Sequence, residues 1–284
     1  MTIHDLLNET TKALEAVESP SARLDAEVLL AFVLGRDRME FYKNPDMVIS
    51  ETKLAAFRNL IVRRSQWEPV AYITGRKEFW TFVLEVNSAV LIPRPDTEVI
   101  VEETIAICRK LNSPEIKILD IGTGSGAIAI ALASEITGAK VVATDISSAA
   151  LNLAKKNAAA SGFKEKIDFR QGNLFEPLDD TFDIIVCNPP YIAAEEYEKL
   201  PLGVKEYEPR EALLAGKSGL EFYEKLIYQA ADFLKKNGWL LLEIGAKQEK
   251  GVRGIMEAAC FYENIEMRRD YAGLPRVMKA RRKE

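Results

Sequence analysis

Asn188-Pro189-Pro190-Tyr191 is the stretch with the most to say about chemistry. It follows an apolar run, Phe182–Cys187, that reads as a strand buried on both faces. Prolines fix φ and surrender their N–H, but they keep their carbonyls as acceptors. The Asn188 side-chain oxygen beside the Pro189 carbonyl therefore makes two converging acceptors. Such a pair suits a planar NH₂ group with two donors, and Tyr191 can cover that group's face. Asn188, Pro189 and Tyr191 are the expected catalytic set, with Pro190 completing the substrate contact. The plainer alternative is a turn after a strand.

A second chemical signal is Asp120-Ile121-Gly122-Thr123-Gly124-Ser125-Gly126-Ala127, directly after an apolar strand and opening an apolar helix. Glycines there permit a tight turn and close approach of a ligand to backbone N–H groups. Gly122, Gly124 and Ala127 also satisfy a dinucleotide-binding fingerprint, so the loop alone does not choose a ligand. Asp145 ends the next apolar run, where an acid can accept hydrogen bonds from both hydroxyls of a ribose. It could instead complement the start of the following helix, a role that Ser147 can share. Loop and acid together imply an adenosine-containing ligand.

These residues need elements to hold them. Strands are predicted at Ile116–Ile121, Lys140–Thr144, Lys166–Arg170, Phe182–Cys187 and Trp239–Ile244. Helices are predicted over Asp96–Leu111, Ser125–Ser134, Ser147–Ser161, Leu220–Lys236 and Lys247–Ala259, with two further strands in Phe261–Met267 and Arg276–Ala280. Alternation of this kind predicts a parallel sheet with helices on both faces, and ligands outside the carboxyl ends of its strands. Upstream, helical periodicity runs over Leu6–Val17, Ala22–Leu34 and Glu51–Gln66, followed by a hairpin pattern around Phe79–Val86. The expected organisation is a helical module over 1–75, a β-hairpin connector over 76–95 and a catalytic domain over 96–284.

Composition removes several classes of function. The chain has 284 residues, 48% hydrophobic and 29% charged, enough for a sizeable core. With 38 Lys+Arg against 43 Asp+Glu the net charge is −5, which disfavours a stable grip on long nucleic acid. The single histidine, His4, leaves no Ser-His-Asp triad, no Cys-His pair and no His-rich metal site, so no metal is expected. Three scattered cysteines, no basic-then-apolar leader and no membrane-length apolar run predict a soluble cytoplasmic protein with reduced thiols.

The tetrapeptide and the glycine loop together resemble S-adenosylmethionine-dependent methyltransferases that act on nitrogen in planar amino or amide groups. Across the whole chain, Pro69-Val-Ala-Tyr-Ile-Thr-Gly75, Phe79-Trp80, Leu91-Ile-Pro-Arg-Pro-Asp-Thr-Glu98, Glu208-Pro-Arg-Glu-Ala-Leu213, Leu242-Glu-Ile-Gly245 and Asp270-Tyr-Ala-Gly-Leu-Pro-Arg276 are similar to the PrmC/HemK family. The resemblance implies a class I methyltransferase domain, an α/β Rossmann-like fold with a mostly parallel seven-stranded sheet, behind a small N-terminal helical domain and a β-hairpin connector. It implies methyl transfer from S-adenosylmethionine, leaving S-adenosylhomocysteine, to the glutamine N5 of the Gly-Gly-Gln loop in bacterial class-1 peptide chain release factors. A dinucleotide ligand would not account for Asn188-Pro-Pro-Tyr191.

By the same resemblance Gly122, Thr123, Gly124, Ser125 and Gly126 wrap the methionine and ribose, Asp145 meets the ribose, and Asn173 and Leu174 meet the adenine beside Asn188. The helical module is expected to recognise the protein substrate. Arg94, Asp96 and Glu98 match a family signature but equally suit an ion-paired helix start, Glu243 reads as a paired carboxylate, and Cys187 as strand packing. The 192–215 segment has the length of a lid. Three other functions share parts of this pattern. A ribosomal-protein glutamine methyltransferase shares the tetrapeptide. A DNA adenine methyltransferase would need a base-flipping surface that is not visible. A non-catalytic cofactor-binding adaptor would not need an intact Asn-Pro-Pro-Tyr.

Overall fold

A computed structural model describes residues 1–111 and 113–284 of the chain. Its contacts divide into two units, one of Met1–Arg76 with Pro201–Tyr207, the other of Lys77–Leu200 with Glu208–Glu284. The short segment Pro201–Tyr207 thus groups with the first unit, whereas the sequence reading ran the catalytic domain through it without a break.

The first unit is helical: α1 (Ile3–Glu15), α2 (Ala22–Leu34), α3 (Met39–Lys43), α4 (Glu51–Ser65) and α5 (Val70–Thr74). Thr2 caps α1 by accepting the Asp5 N–H, and Gly35 ends α2 in the left-handed conformation that glycine tolerates. Leu6, Leu7, Leu14, Leu29, Leu30 and Phe57 form its core. One ion pair crosses that core, Arg64 to Asp25 at 2.7 Å, and Ser19 and Ser21 also donate to the Asp25 carboxylate. A buried charge is tolerable only when partnered in this way.

The second unit opens with the hairpin β1 (Arg76–Phe79) and β2 (Phe82–Glu85), whose first residue belongs to the helical unit. It continues through α6 (Glu98–Leu111), β3 (Ile116–Ile121), α7 (Ala127–Glu135), β4 (Ala139–Asp145), α8 (Ser148–Ala160), β5 (Ile167–Gln171) and β6 (Phe182–Cys187). Next come β7 (Ile192–Ala193), α9 (Ala194–Tyr197), α10 (Leu202–Lys205, in the first unit) and β8 (Leu214–Gly216). The chain closes with α11 (Glu221–Phe233), β9 (Leu234–Glu243), α12 (Glu249–Ala259), β10 (Tyr262–Arg269) and β11 (Pro275–Arg282).

Seven strands form one sheet in the order β10-β11-β9-β6-β3-β4-β5, parallel from β9 to β5 and antiparallel where β11 joins β9 and β10. Alternate residues enter opposite cores, as the two-residue period of a strand demands. Ile118, Ile184, Val186 and Leu241 pack against α6 and α7, while Leu119, Ile185, Leu240 and Leu242 pack against α11 and α12. The chain leaves β3 toward β4 on one side and returns to β6 on the other, so a crevice opens at the carboxyl ends of these strands.

Most predicted elements appear, with shifted ends. The helix expected from Ser125 starts at Ala127, because Gly126 sits at φ +84° and caps it. The helix expected from Asp96 opens as a tight turn over Pro95–Thr97, and β9 begins at Leu234 rather than Trp239.

One buried side chain joins the hairpin to the glycine loop. Asn157 of α8 donates to the Glu85 and Ser125 carbonyls and accepts the Glu85 N–H, at 2.9, 2.9 and 2.8 Å. Replacing it by alanine takes the partner from three backbone groups, the Ser125 carbonyl buried and the two of Glu85 half-buried, and each group left unsatisfied carries a desolvation cost. Asn157→Ala is expected to lower stability by about 1–3 kcal/mol in urea denaturation, against little change for an exposed neighbour such as Lys156→Ala.

Candidate active site

A cavity of about 490 Å³ lies at the carboxyl ends of β3, β4, β5 and β6. Its walls include Gly122, Thr123, Gly124 and Ser125 after β3, Asp145 at the end of β4, Asn173 and Leu174 after β5, and Asn188, Pro189 and Pro190 after β6. Segments far apart in sequence meet here because neighbouring parallel strands end at the same edge. In register, Ile121 faces Cys187 and Thr144 faces Arg170.

The glycine loop divides its labour. Gly122 and Gly124 take φ of +70° and +56°, and a Cβ on Gly122 would meet nothing within 4 Å. That open space is on offer to a ligand. Gly126 does not line the cavity; a Cβ there would press on Ala154 and Ile130 at 3.2 Å, so this glycine serves the packing of α7 against α8. Asp120 stands behind the loop, fully buried, and accepts the Thr123 hydroxyl at 2.7 Å. Its other oxygen has no hydrogen-bond partner among the described residues. Burial, opposed by the Thr123 hydrogen bond, pushes its carboxyl up to about 7.

Asp145 accepts the Gly124 N–H with one oxygen and the Ser147 N–H with the other, both at 2.9 Å, while Ser147 caps α8 through the Ala150 N–H. Its carboxylate thus braces the loop and still lines the cavity, each oxygen keeping a further lone pair. Burial raises its carboxyl, and the two N–H groups oppose that. Leu174 holds a left-handed φ of +51°, strained for a leucine, while its side chain packs on the core beneath α11 and α12. An adenosyl sulfonium fits the groups on offer, an open glycine cradle and the Asp145 carboxylate in the wall.

Asn188 is held from behind. Its Nδ2 donates to the Thr97 Oγ1 at 3.3 Å, and the Thr97 hydroxyl adjoins the Glu243 carboxyl and favours its charged form. The sequence reading singled out Arg94, Asp96 and Glu98 but passed over Thr97, which is buried and lines the cavity. Glu243, read as a paired carboxylate, is fully buried, lacks an ion pair among the described residues, and leaves Oε2 without a partner. Burial, opposed by Thr97 and Arg276, pushes its carboxyl up to about 7.

Tyr191 is not among the cavity-lining residues; its ring packs against the core on the α11–α12 face. Burial, then the charge of Glu243, pushes its phenol up to about 12, so it stays protonated. Its carbonyl accepts the Gln248 Nε2–H at 2.8 Å, which fastens the end of the tetrapeptide. Cys187 lies in the core, its thiol raised by burial.

The signature residues before α6 are mostly bracing. Arg94 pairs with Glu208, Asp96 with Arg276, and Glu98 accepts the Trp80 N–H. Arg94 also lines the cavity. The far wall, Pro209, Glu211, Ala212 and Phe222, comes partly from the segment expected to be a lid.

A family model described as the PrmC N-terminal domain matches residues 5–75, and one described as the methyltransferase small domain matches residues 102–200. The release factor glutamine methyltransferase of Geobacter sulfurreducens is 42% identical over 281 residues, covering 99% of this chain and 96% of that one. The protein of the same name from Rhodopirellula baltica is 40% identical, covering 98% and 95%. This chain belongs to the release factor glutamine methyltransferase family. Among solved structures, a methyltransferase from Pyrococcus furiosus matches with a TM-score of 0.52 at 20% identity, over 71% of this chain and 89% of that one. The hMettl16 catalytic domain matches at 0.56 and 20%, over 69% and 74%. At such identity these two speak for the fold alone, a class I methyltransferase fold. Among the described residues no helix is long and apolar enough to cross a membrane.

The acids of the site leave a mark on stability. Asp120 keeps its proton to about pH 7 when folded but loses it near its ordinary 3.8 when unfolded. The unfolded state therefore binds fewer protons in that window, and stability falls as pH rises from about 4 to about 7. Asp120→Asn is expected to remove this contribution, at most about 1.4 kcal/mol per pH unit. Urea midpoints across that range check it, and parallel slopes in the two proteins would mean that Asp120 is ionised throughout.

Proposed function

We propose that this chain transfers a methyl group from S-adenosylmethionine to the side-chain amide nitrogen of the glutamine in the Gly-Gly-Gln loop of bacterial class-1 peptide chain release factors, leaving S-adenosylhomocysteine and using no metal. One observation carries the reading. Asn188 and Pro189 share a cavity with the Gly122–Ser125 loop, in a chain similar from end to end to release factor glutamine methyltransferases.

A carboxamide nitrogen is a weak nucleophile because its lone pair is delocalised into the carbonyl. S-adenosylmethionine, when bound, supplies a methyl group already activated by its sulfonium. Gly122 and Gly124 give it room, Asp145 offers lone pairs to the ribose hydroxyls, and Asn173 and Leu174 form the wall on the adenine side. With Nδ2 engaged by Thr97, Asn188 is left with Oδ1 as its free acceptor. Asn188 Oδ1 and the Pro189 carbonyl each take one N–H of the substrate amide and hold the nitrogen toward the methyl donor. Orientation and a fixed polar setting supply the acceleration, since the site contains no histidine. The amide's surplus proton leaves with or after transfer.

The helical unit, matched by the PrmC N-terminal family model, is assigned to recognition of the protein substrate. A substrate that works in translation puts the chain in the cytoplasm.

Tandem mass spectrometry of a purified class-1 release factor, incubated with this protein and S-adenosylmethionine, tests the reading. One added methyl on the Gly-Gly-Gln glutamine is expected. Methyl on a ribosomal-protein glutamine or on DNA adenine instead, in parallel reactions, would overturn the substrate assignment. Asn188→Ala is expected to slow turnover about 100-fold or more with cofactor binding intact.

A further inference from the structure

The two ends of the Asn188 carboxamide are nearly the same shape but opposite in hydrogen-bonding sense. One way round, an oxygen accepts from the substrate amide. Turned over, an NH₂ faces another NH₂ and the substrate is refused. The turn after β6 does not distinguish these by shape, so the decision falls to whatever meets the other end.

That end meets a chain of defined polarity. Cys187 and Leu242 are register partners in β6 and β9, so the residues after them, Asn188 and Glu243, emerge side by side. Thr97, in the turn before α6, bridges the two, and its hydroxyl has one proton to give. Its oxygen already accepts from Asn188 Nδ2, so the proton falls to the neighbouring Glu243 carboxyl, whose charged form Thr97 favours. An ionised carboxylate has nothing to donate, so it forces Thr97 to be the donor and Asn188 to turn its NH₂ inward.

We propose that Thr97 and Glu243 are positioning residues: through the Thr97 hydroxyl, Glu243 fixes which way round the Asn188 carboxamide sits, and so keeps an acceptor facing the substrate nitrogen. The catalytic meaning of that acceptor rests on the function proposed above. The orientation itself does not.

The charged groups facing Glu243 leave it free for this role. Arg276 is held by Asp96 and Asp270, and Arg94 by Glu208. Tyr191, Tyr223 and Cys187 also adjoin it, and all three stay protonated near neutrality. When Glu243 takes up a proton it can donate to Thr97. Thr97 can then donate to Asn188, and the lock on the amide is lost. With its carboxyl raised by burial to about 7, this release falls within the range of a pH profile.

The test uses the full ¹⁵N-labelled chain. The Asn188 side-chain NH₂ signals, identified by their loss in Asn188→Ala, are followed across neutral pH. They are expected to titrate in the wild type and to stop doing so in Glu243→Gln and Thr97→Val. In turnover, Thr97→Val is expected to lose about 10–100-fold in kcat with KM and cofactor affinity little changed. Thr97→Ser, which restores the hydroxyl, should recover most of that loss. Glu243→Gln should flatten the acid limb of kcat. Thr97→Val at wild-type kcat, Thr97→Ser as slow as Thr97→Val, or Asn188 signals identical in wild type and Glu243→Gln would each overturn the proposal. Thermal melting separates these effects from misfolding. Titrating Asn188 signals in a protein that leaves release factors unmethylated would uphold the lock and sink only the substrate reading.

Discussion

The pairing of β3 with β6 is the constraint on which the site depends. It sets Ile121 opposite Cys187, so the residues that follow, a glycine loop on one strand and Asn188-Pro-Pro-Tyr191 on the next, open onto one cavity. Parallel neighbours about 4.8 Å apart leave little freedom in how far two such turns can separate. The registers of β4 and β9 extend the same edge, bringing Asp145 to one side and Glu243 to the other. Side chains then stiffen what the backbone has placed: Asn157 ties the loop to the hairpin, and Gln248 ties the tetrapeptide to the turn before α12.

Fixing polar groups at a buried sheet edge has an energetic cost. Asp120 and Glu243 are both fully buried, and each keeps one oxygen without a partner. Neither has a direct ion pair among the described residues, and burial raises both carboxyls to about 7. Isolated buried carboxylates are poor stabilisers. Two of them behind the residues that line the cavity make sense as braces, Asp120 for the Thr123 hydroxyl of the glycine loop and Glu243 beside Thr97.

Much of this was legible in the sequence, for a physical reason. Glycines at positive φ, prolines without an N–H and an acid closing an apolar strand are each required locally, and local requirements leave local signatures. The sheet was legible because strands buried on both faces read as continuous apolar runs such as Ile184-Ile185-Val186. Thr97 was not. A threonine beside a proline turn looks like any helix start, and its part at the site exists only once β6 and β9 bring Asn188 and Glu243 together. Gly126 was folded into the ligand loop because spacing does not say which way a missing Cβ would point. By sequence Tyr191 suits a place over the substrate; nothing in a tetrapeptide reveals that its half-buried ring packs against the core.

The choice of asparagine at 188 follows from the chemistry it must survive. An aspartate there would accept the same N–H and hold it more strongly. It would also place an anionic oxygen beside an activated methyl group, where that oxygen is itself a nucleophile and a better one than an amide nitrogen. A neutral carboxamide oxygen and a backbone carbonyl orient the substrate without competing with it. The carboxyl groups are instead kept to the loop side, Asp145 and Asp120, and behind Thr97, Glu243. The arrangement puts acceptors that cannot react next to the nitrogen that must.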